Sequence, residues 1–232
     1  MLINIGPEIW LADGPRVTAA LGFCYPTRMA ILRLPGRRLF IWSPVALTDA
    51  TRVALAGLGT VSHVIAPNSL HDSFLSEWHT AYPEAAFHAA PNLSAARPDI
   101  AFNTELTALP DPGWQGHIEQ VVVPGNVITT EVVFFHRASG TILFTDLLQH
   151  LPGGWFTGWR GLVAKLDFLT QSEPAVPRKF RLAFRDRRAA RVAIAQVLNW
   201  PVRQVVMAHG EPVTRDAAGY LRRAFAWLRP GK

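Results

Sequence analysis

The 232-residue sequence contains one cysteine, Cys24. A disulfide framework needs pairs and a thiolate zinc cluster needs several thiolates, so both are excluded. Charge is also scarce: 17% of residues are charged and 49% are hydrophobic, which excludes a disordered or coiled-coil chain. Long apolar runs are missing. Prolines, glycines and charges break every stretch short of the ~18 to 20 residues that a membrane-spanning helix requires. The opening "MLINIGPEIWLADG" has neither the basic start nor the continuous apolar core of a signal peptide, and a soluble, cytoplasmic protein is expected. Two catalytic signatures are absent as well. No G-x-S-x-G elbow occurs, and "PGNVITT" and "LPGGWFTG" lack the lysine and spacing of a phosphate loop.

The net charge of +6 is local. "RKFRLAFRDRRAAR", residues 178 to 191, carries seven bases and one acid, so the remainder is about neutral. A specific nucleic-acid partner is therefore not expected: the footprint is not chain-wide and no recognisable motif accompanies it. Arg187, Arg188 and Arg191 are spaced for one helical face, opposite Ala190, Ile194, Val197 and Leu198. That face is either solvated or available to an anionic surface. Trp155, Phe156, Trp159, Leu162, Val163, Leu166 and Phe168, just upstream, keep a membrane-surface contact open.

Periodicity supplies the architecture. "RMAILRLPGRRLFIWSPV" reads as two strands around a Pro-Gly turn, and "LTDATRVALAGLG" as a helix capped by Thr48. "VSHVIA" reads as a strand, "SLHDSFLSEWHTAY" as a helix, and "AAFHAA" as a short strand. From residue 118 the strands "HIEQVVV", "TTEVVFFH" and "GTILFTDLL" follow. A helix near 186–199, the strand "RQVVMA" and a last helix near 215–228 complete the chain. The alternation favours two sheets sandwiched by helices over one doubly wound sheet. No repeat or linker appears, so one domain over 1–232 is expected, with 151–185 as an irregular excursion.

Three apolar runs end at once in polar groups: "VSHVIAPNSLHD", "GTILFTD" and "RQVVMAHG". Strands that feed such groups into loops at one sheet edge fix them rigidly, a common way to build a site. The groups are His71 or Asp72, Asp146, and His209. Two imidazoles and a carboxylate suit one divalent zinc, iron or manganese and leave room for water or substrate. Each residue also has a plain structural use. "SLHD" matches a capping box from Ser69 to Asp72, Asp146 can cap the turn after its strand, and Gly210 permits a sharp turn after His209. His136 is placed on the strand neighbouring Asp146, as a pocket candidate.

The order of these pieces resembles the metallo-β-lactamase superfamily, and more closely an uncharacterised bacterial branch of it, a domain of unknown function. "APNSLHDSFLSEW", "YPEAAFHAAP", "EVVFFHRASGTILFTDLL" and "VVMAHGEPV" carry the resemblance over nearly the whole chain. It implies an αββα sandwich of two mixed sheets with metals at one edge. It also exposes departures. In the superfamily's H-x-H-x-D-H motif, Asn68, Leu70 and Ser73 stand at the histidines, Asp72 keeps its type, and His71 falls between positions. "VPGN" puts Asn126 where a further histidine belongs, while Asp146 and His209 match. The resemblance thus implies a reduced, at most mononuclear, site on His71 or Asp72, Asp146 and His209, with Asn68 and Asn126 beside it. Two functions follow as expectations: a metal-dependent hydrolase of small molecules, or an inactive small-molecule-binding protein with no metal and a polar cluster instead.

Overall fold

Residues 3–105 form a seven-stranded sheet in the computed structural model, which describes residues 1–228. Four strands run antiparallel as a meander: β1 (Ile3–Gly6), β2 (Ile9–Thr18), β3 (Cys24–Leu34) and β4 (Arg38–Trp42). Pro35 and Gly36, the latter at φ 72°, make the tight β3–β4 turn that the sequence predicts. β5 (Thr60–Ala66), β6 (Ala86–Ala89) and β7 (Thr104–Glu105) then continue parallel to β4. Parallel neighbours need crossovers; α1 (Asp49–Leu58), α2 (Leu75–Ala81) and α3 (Leu93–Ala96) lie on these connections.

The second sheet has the order β11-β10-β9-β8, from β8 (Ile118–Val123), β9 (Glu131–His136), β10 (Thr141–Gln149) and β11 (Gln204–His209). β10 and β11 are parallel and the other pairs antiparallel. Between β10 and β11 come α4 (Gly158–Leu166), α5 (Arg178–Ala183) and α6 (Arg187–Leu198), and α7 (Ala217–Ala224) follows β11. The expected excursion over 151–185 thus holds two short helices. Among the described residues no helix is long and apolar enough to cross a membrane.

Three apolar layers hold the sandwich together. Ile9, Leu32, Phe40 and Trp42 of the first sheet meet Ile118, Phe134, Leu143 and Val206 of the second. α1 and α2 cover the outer face of the first sheet through Leu55, Leu75 and Trp78. Phe180, Ile194, Val197, Tyr220 and Leu221 cover the second. This is the αββα sandwich of two mixed sheets.

One local expectation fails. The capping box over "SLHD" does not form, and α2 begins only at Leu75. Tertiary partners draw the two box residues away: the Ser69 hydroxyl meets Thr129, and Asp72 pairs with Arg97 at 3.0 Å. Asn68 Oδ1 accepts from the Leu70 amide within the same loop.

Candidate metal centre

Parallel pairing of β4 with β5, and of β10 with β11, brings four strand ends to one edge of the sandwich. Ser43 follows β4, Asn68 and His71 follow β5, Asp146 lies near the end of β10, and His209 ends β11. His71, Asp146 and His209 each point a ligand atom inward, and these atoms all lie within 4.8 Å of one another. His71 Nε2 stands 3.3 Å from Asp146 Oδ2, and His209 Nε2 stands 3.6 Å from Asp146 Oδ1. Donors about 2.0 to 2.2 Å from a tetrahedral ion are spaced by roughly 3.3 to 3.6 Å, so the two histidine–aspartate spacings suit a metal.

The outer bonds of the histidines decide how the rings face. His209 Nδ1 lies 2.6 Å from the Pro26 carbonyl oxygen, which only accepts, so Nδ1 carries a proton. Unless the ring takes a second proton, Nε2 then turns a lone pair on the Asp146 carboxylate. Two acceptors so close require a cation between them, a proton or a metal. His71 Nδ1 meets the Ser43 hydroxyl at 2.7 Å, and Ser43 is held at φ 51° to present it. Burial pushes the His71 imidazole down, against the pull of Asp146, towards the neutral form that a metal requires. Burial alone would raise Asp146, but His209 and His71 more than reverse this and hold it well below the usual carboxylate range.

Five further residues surround these three. Asn68 Nδ2 donates to Asp146 Oδ2 at 2.7 Å and to Thr145 Oγ1 at 2.9 Å. Gln149 Nε2 donates to Asp146 Oδ1 at 2.9 Å. Arg28 of β3 donates to the Gly210 carbonyl and to that of Met207, tying the end of β11 to the first sheet. Gly210 fits there because it lacks a Cβ, which would sit 2.6 Å from the His150 carbonyl oxygen. Glu131, fully buried at the start of β9, accepts the backbone N–H groups of Thr145, Asp146 and Leu147 at 2.8 to 2.9 Å. Burial, with the nearby Asp146 charge, raises its carboxyl to about 7. Glu131→Gln replaces one acceptor oxygen by an NH2 that opposes a backbone donor. It should lower stability by ~2 kcal/mol in urea unfolding, and a loss below ~0.5 kcal/mol would show that the second acceptor oxygen is dispensable.

The triad lies at the wall of a cavity of about 330 Å³ lined also by Val17, Tyr25, Phe74, Ile128, Lys179 and Phe180. Lys179 Nζ approaches Tyr25 Oη at 3.3 Å, and the Tyr25 ring packs 5.4 Å from that of His209. Three sequence candidates lie elsewhere. Asp72 is engaged by Arg97, which leaves His71 as the candidate ligand from that loop. Asn126 does not line the cavity; it binds the Phe180 carbonyl and the Ile128 amide, and so positions two residues that do. His136 pairs with Thr141, because antiparallel β9 ends where β10 begins. Five residues along the strand put it ~17 Å from Asp146, and it binds Ser139 instead.

Residues 8–156, more than half of the chain, match the family described as Domain of unknown function (DUF4336). No curated protein matches the chain. Among solved structures it is similar to a metal-soaked Flv1 flavodiiron core from Synechocystis sp. PCC6803, at 13% identity and TM-score 0.66, over 98% of this chain and 60% of that one. A metallo-β-lactamase from Hirschia baltica gives 14% and 0.60, over 100% and 99%. The metallo-β-lactamase FIM-1 from Pseudomonas aeruginosa, in its mono-zinc form, gives 12% and 0.61, over 99% and 96%. At such identities the likeness is one of fold, and the fold is that of the metallo-β-lactamases.

Proposed function

Because the chain belongs to the DUF4336 family and has the metallo-β-lactamase fold, we propose that it is a hydrolase dependent on one divalent metal held by His71, Asp146 and His209. One observation supports the reading: the Pro26 carbonyl orients His209 so that Nε2 faces the Asp146 carboxylate, where His71 also points, giving three donors that a divalent ion can share. Zinc, iron and manganese all accept two imidazoles and a carboxylate. The chemistry such an ion supplies when bound is Lewis-acid polarisation of a carbonyl or phosphoryl group and acidification of water. The chain's own residues do the rest. Ser43 and Pro26 orient the two imidazoles, Asn68 and Gln149 fix both Asp146 oxygens, and Val17, Phe74 and Phe180 give the cavity an apolar wall. Lys179 and Tyr25 offer polar atoms in the same cavity to a small-molecule substrate.

Asn68 and Gln149 also support a second reading. With two amide donors on Asp146 and His71 3.3 Å away, a protonated His209 would complete a metal-free polar cluster that binds a ligand without turnover. Ester, thioester, lactam and phosphodiester substrates, assayed after reconstitution with each metal, separate the two. Turnover of at least one, removed by chelation and restored by metal, is expected; bound ligand without metal-dependent turnover favours the cluster.

A further inference from the structure

The segment between β10 and α6 carries a feature that the metal centre does not use. Trp159, Leu162, Val163 and Leu166 of α4 form an i, i+3, i+4, i+7 series, the stripe that a helix of a soluble protein turns to its core. Here α4 buries only Ala164, and the stripe faces outward. Leu182 of α5 and Leu21 of the β2–β3 connection extend the patch, and these six side chains are 41% to 74% exposed. Leu21 is held at φ 58°, unfavourable for a bulky residue, and Arg160 of α4 binds its carbonyl at 2.9 Å. Much of the patch lines an open groove of about 480 Å³ that shares Ala19, Tyr25 and Lys179 with the wall of the metal-centre cavity.

The charge around the patch is of one sign. Residues 151 to 182 hold five bases, Arg160, Lys165, Arg178, Lys179 and Arg181, against two acids. Both acids are engaged, Asp167 by Lys179 and Glu173 by Arg223. Arg160 lies over the Trp159 ring, and Arg178 over that of Phe168. These bases adjoin the apolar stripe more closely than the α6 face does: Arg188 lines a separate groove with Val192, and Arg191 binds the Leu228 carbonyl.

We propose that α4, with Leu21 and Leu182, docks into the interfacial layer of an anionic membrane surface, with Arg160, Lys165 and Arg178 at the headgroups. A short tryptophan- and leucine-bearing face framed by arginine and lysine is the composition of an interfacial helix, and the uncompensated positive charge selects an anionic bilayer. The proposal is independent of metal. Co-sedimentation of the full chain, in the presence of chelator, with phosphatidylcholine vesicles and with phosphatidylcholine–phosphatidylglycerol vesicles tests it. Binding to the mixed vesicles alone is expected, weakened by salt. Leu162→Asp/Leu166→Asp, at exposed positions, should lower it by at least ~10-fold without changing the thermal transition. Should that variant fold poorly, Lys165→Glu/Arg178→Glu serves instead, with a loss of similar size. Equal sedimentation of parent and variants, or no sedimentation of the parent, overturns the proposal. So does a dimer in light scattering that the same variants dissociate, which would mean that a second copy covers the patch.

Discussion

Replacing His209 by alanine is expected to weaken metal binding by more than ~100-fold and to reduce metal-dependent turnover at least as much. Loss of a residue that only orients a ligand already costs 10- to 100-fold, and His209 is itself one of the three candidate donors. Asp146→Asn and His71→Ala should behave alike, since removing any member leaves two donors. Arg28→Met, which frees the Gly210 carbonyl and loosens the turn behind His209, should fall in the smaller range of about 10- to 100-fold. Titration with a chelating competitor gives these affinities. Equal metal affinity in parent and His209→Ala would place any bound metal elsewhere.

Acid should destabilise the protein strongly through two histidines outside the His71, Asp146, His209 cluster. His88 lies between His63, at 3.2 Å, and the Thr104 hydroxyl, at 2.8 Å, with its ring edge-on to Trp114. His136 is buried against Ser139 and Thr141. Burial is the main cause in each, pushing the pKa from 6.5 down to about 4. The unfolded chain therefore takes up these protons near pH 6.5 and the native chain only near pH 4, so stability is full above pH 6.5 and falls towards pH 4. Each displacement corresponds to ~3 kcal/mol by pH 4. Glu131 acts with the opposite sign: raised to about 7, it binds its proton first in the native state and adds stability as pH falls from about 7 to 4.5. Comparing parent with His88→Asn/His136→Asn cancels that contribution. Urea unfolding at pH 7 and pH 4.5 should show the parent losing several kcal/mol more than the variant between the two pH values. Parallel losses would mean that neither histidine is held neutral by burial.

Much of this arrangement is legible in the sequence because strand ends are. The apolar runs before Asn68, at Phe144 and before His209 announce rigid supports, and "AHG" announces a turn that only glycine fits. The choice between His71 and Asp72 is not local. It depends on Arg97, 25 residues further along, which captures Asp72 and leaves His71 to turn inward beside Ser43. His136 misleads for a related reason: adjacency of strands is visible in the sequence, but antiparallel direction decides which ends meet. Glu131 and Arg28 escape a reading of motifs because they act on backbone groups from the neighbouring strand or sheet, and Gln149 because it acts on the Asp146 side chain three residues back along its own strand. The single internal cue for Glu131 is a charged residue opening the wholly apolar run "VVFF". Strands β1 and β2 are equally hard to foresee, since prolines, glycines and charges interrupt the alternation from Ile3 to Thr18.

Elemental analysis of the purified chain, reconstituted in turn with zinc, iron and manganese and freed of excess metal, tests the central claim most directly. About one equivalent of at least one of these metals is expected in the parent, and less than ~0.1 equivalent in Asp146→Asn. Less than ~0.1 equivalent of every metal in the folded parent would contradict it and leave His71, Asp146 and His209 as a hydrogen-bonded cluster.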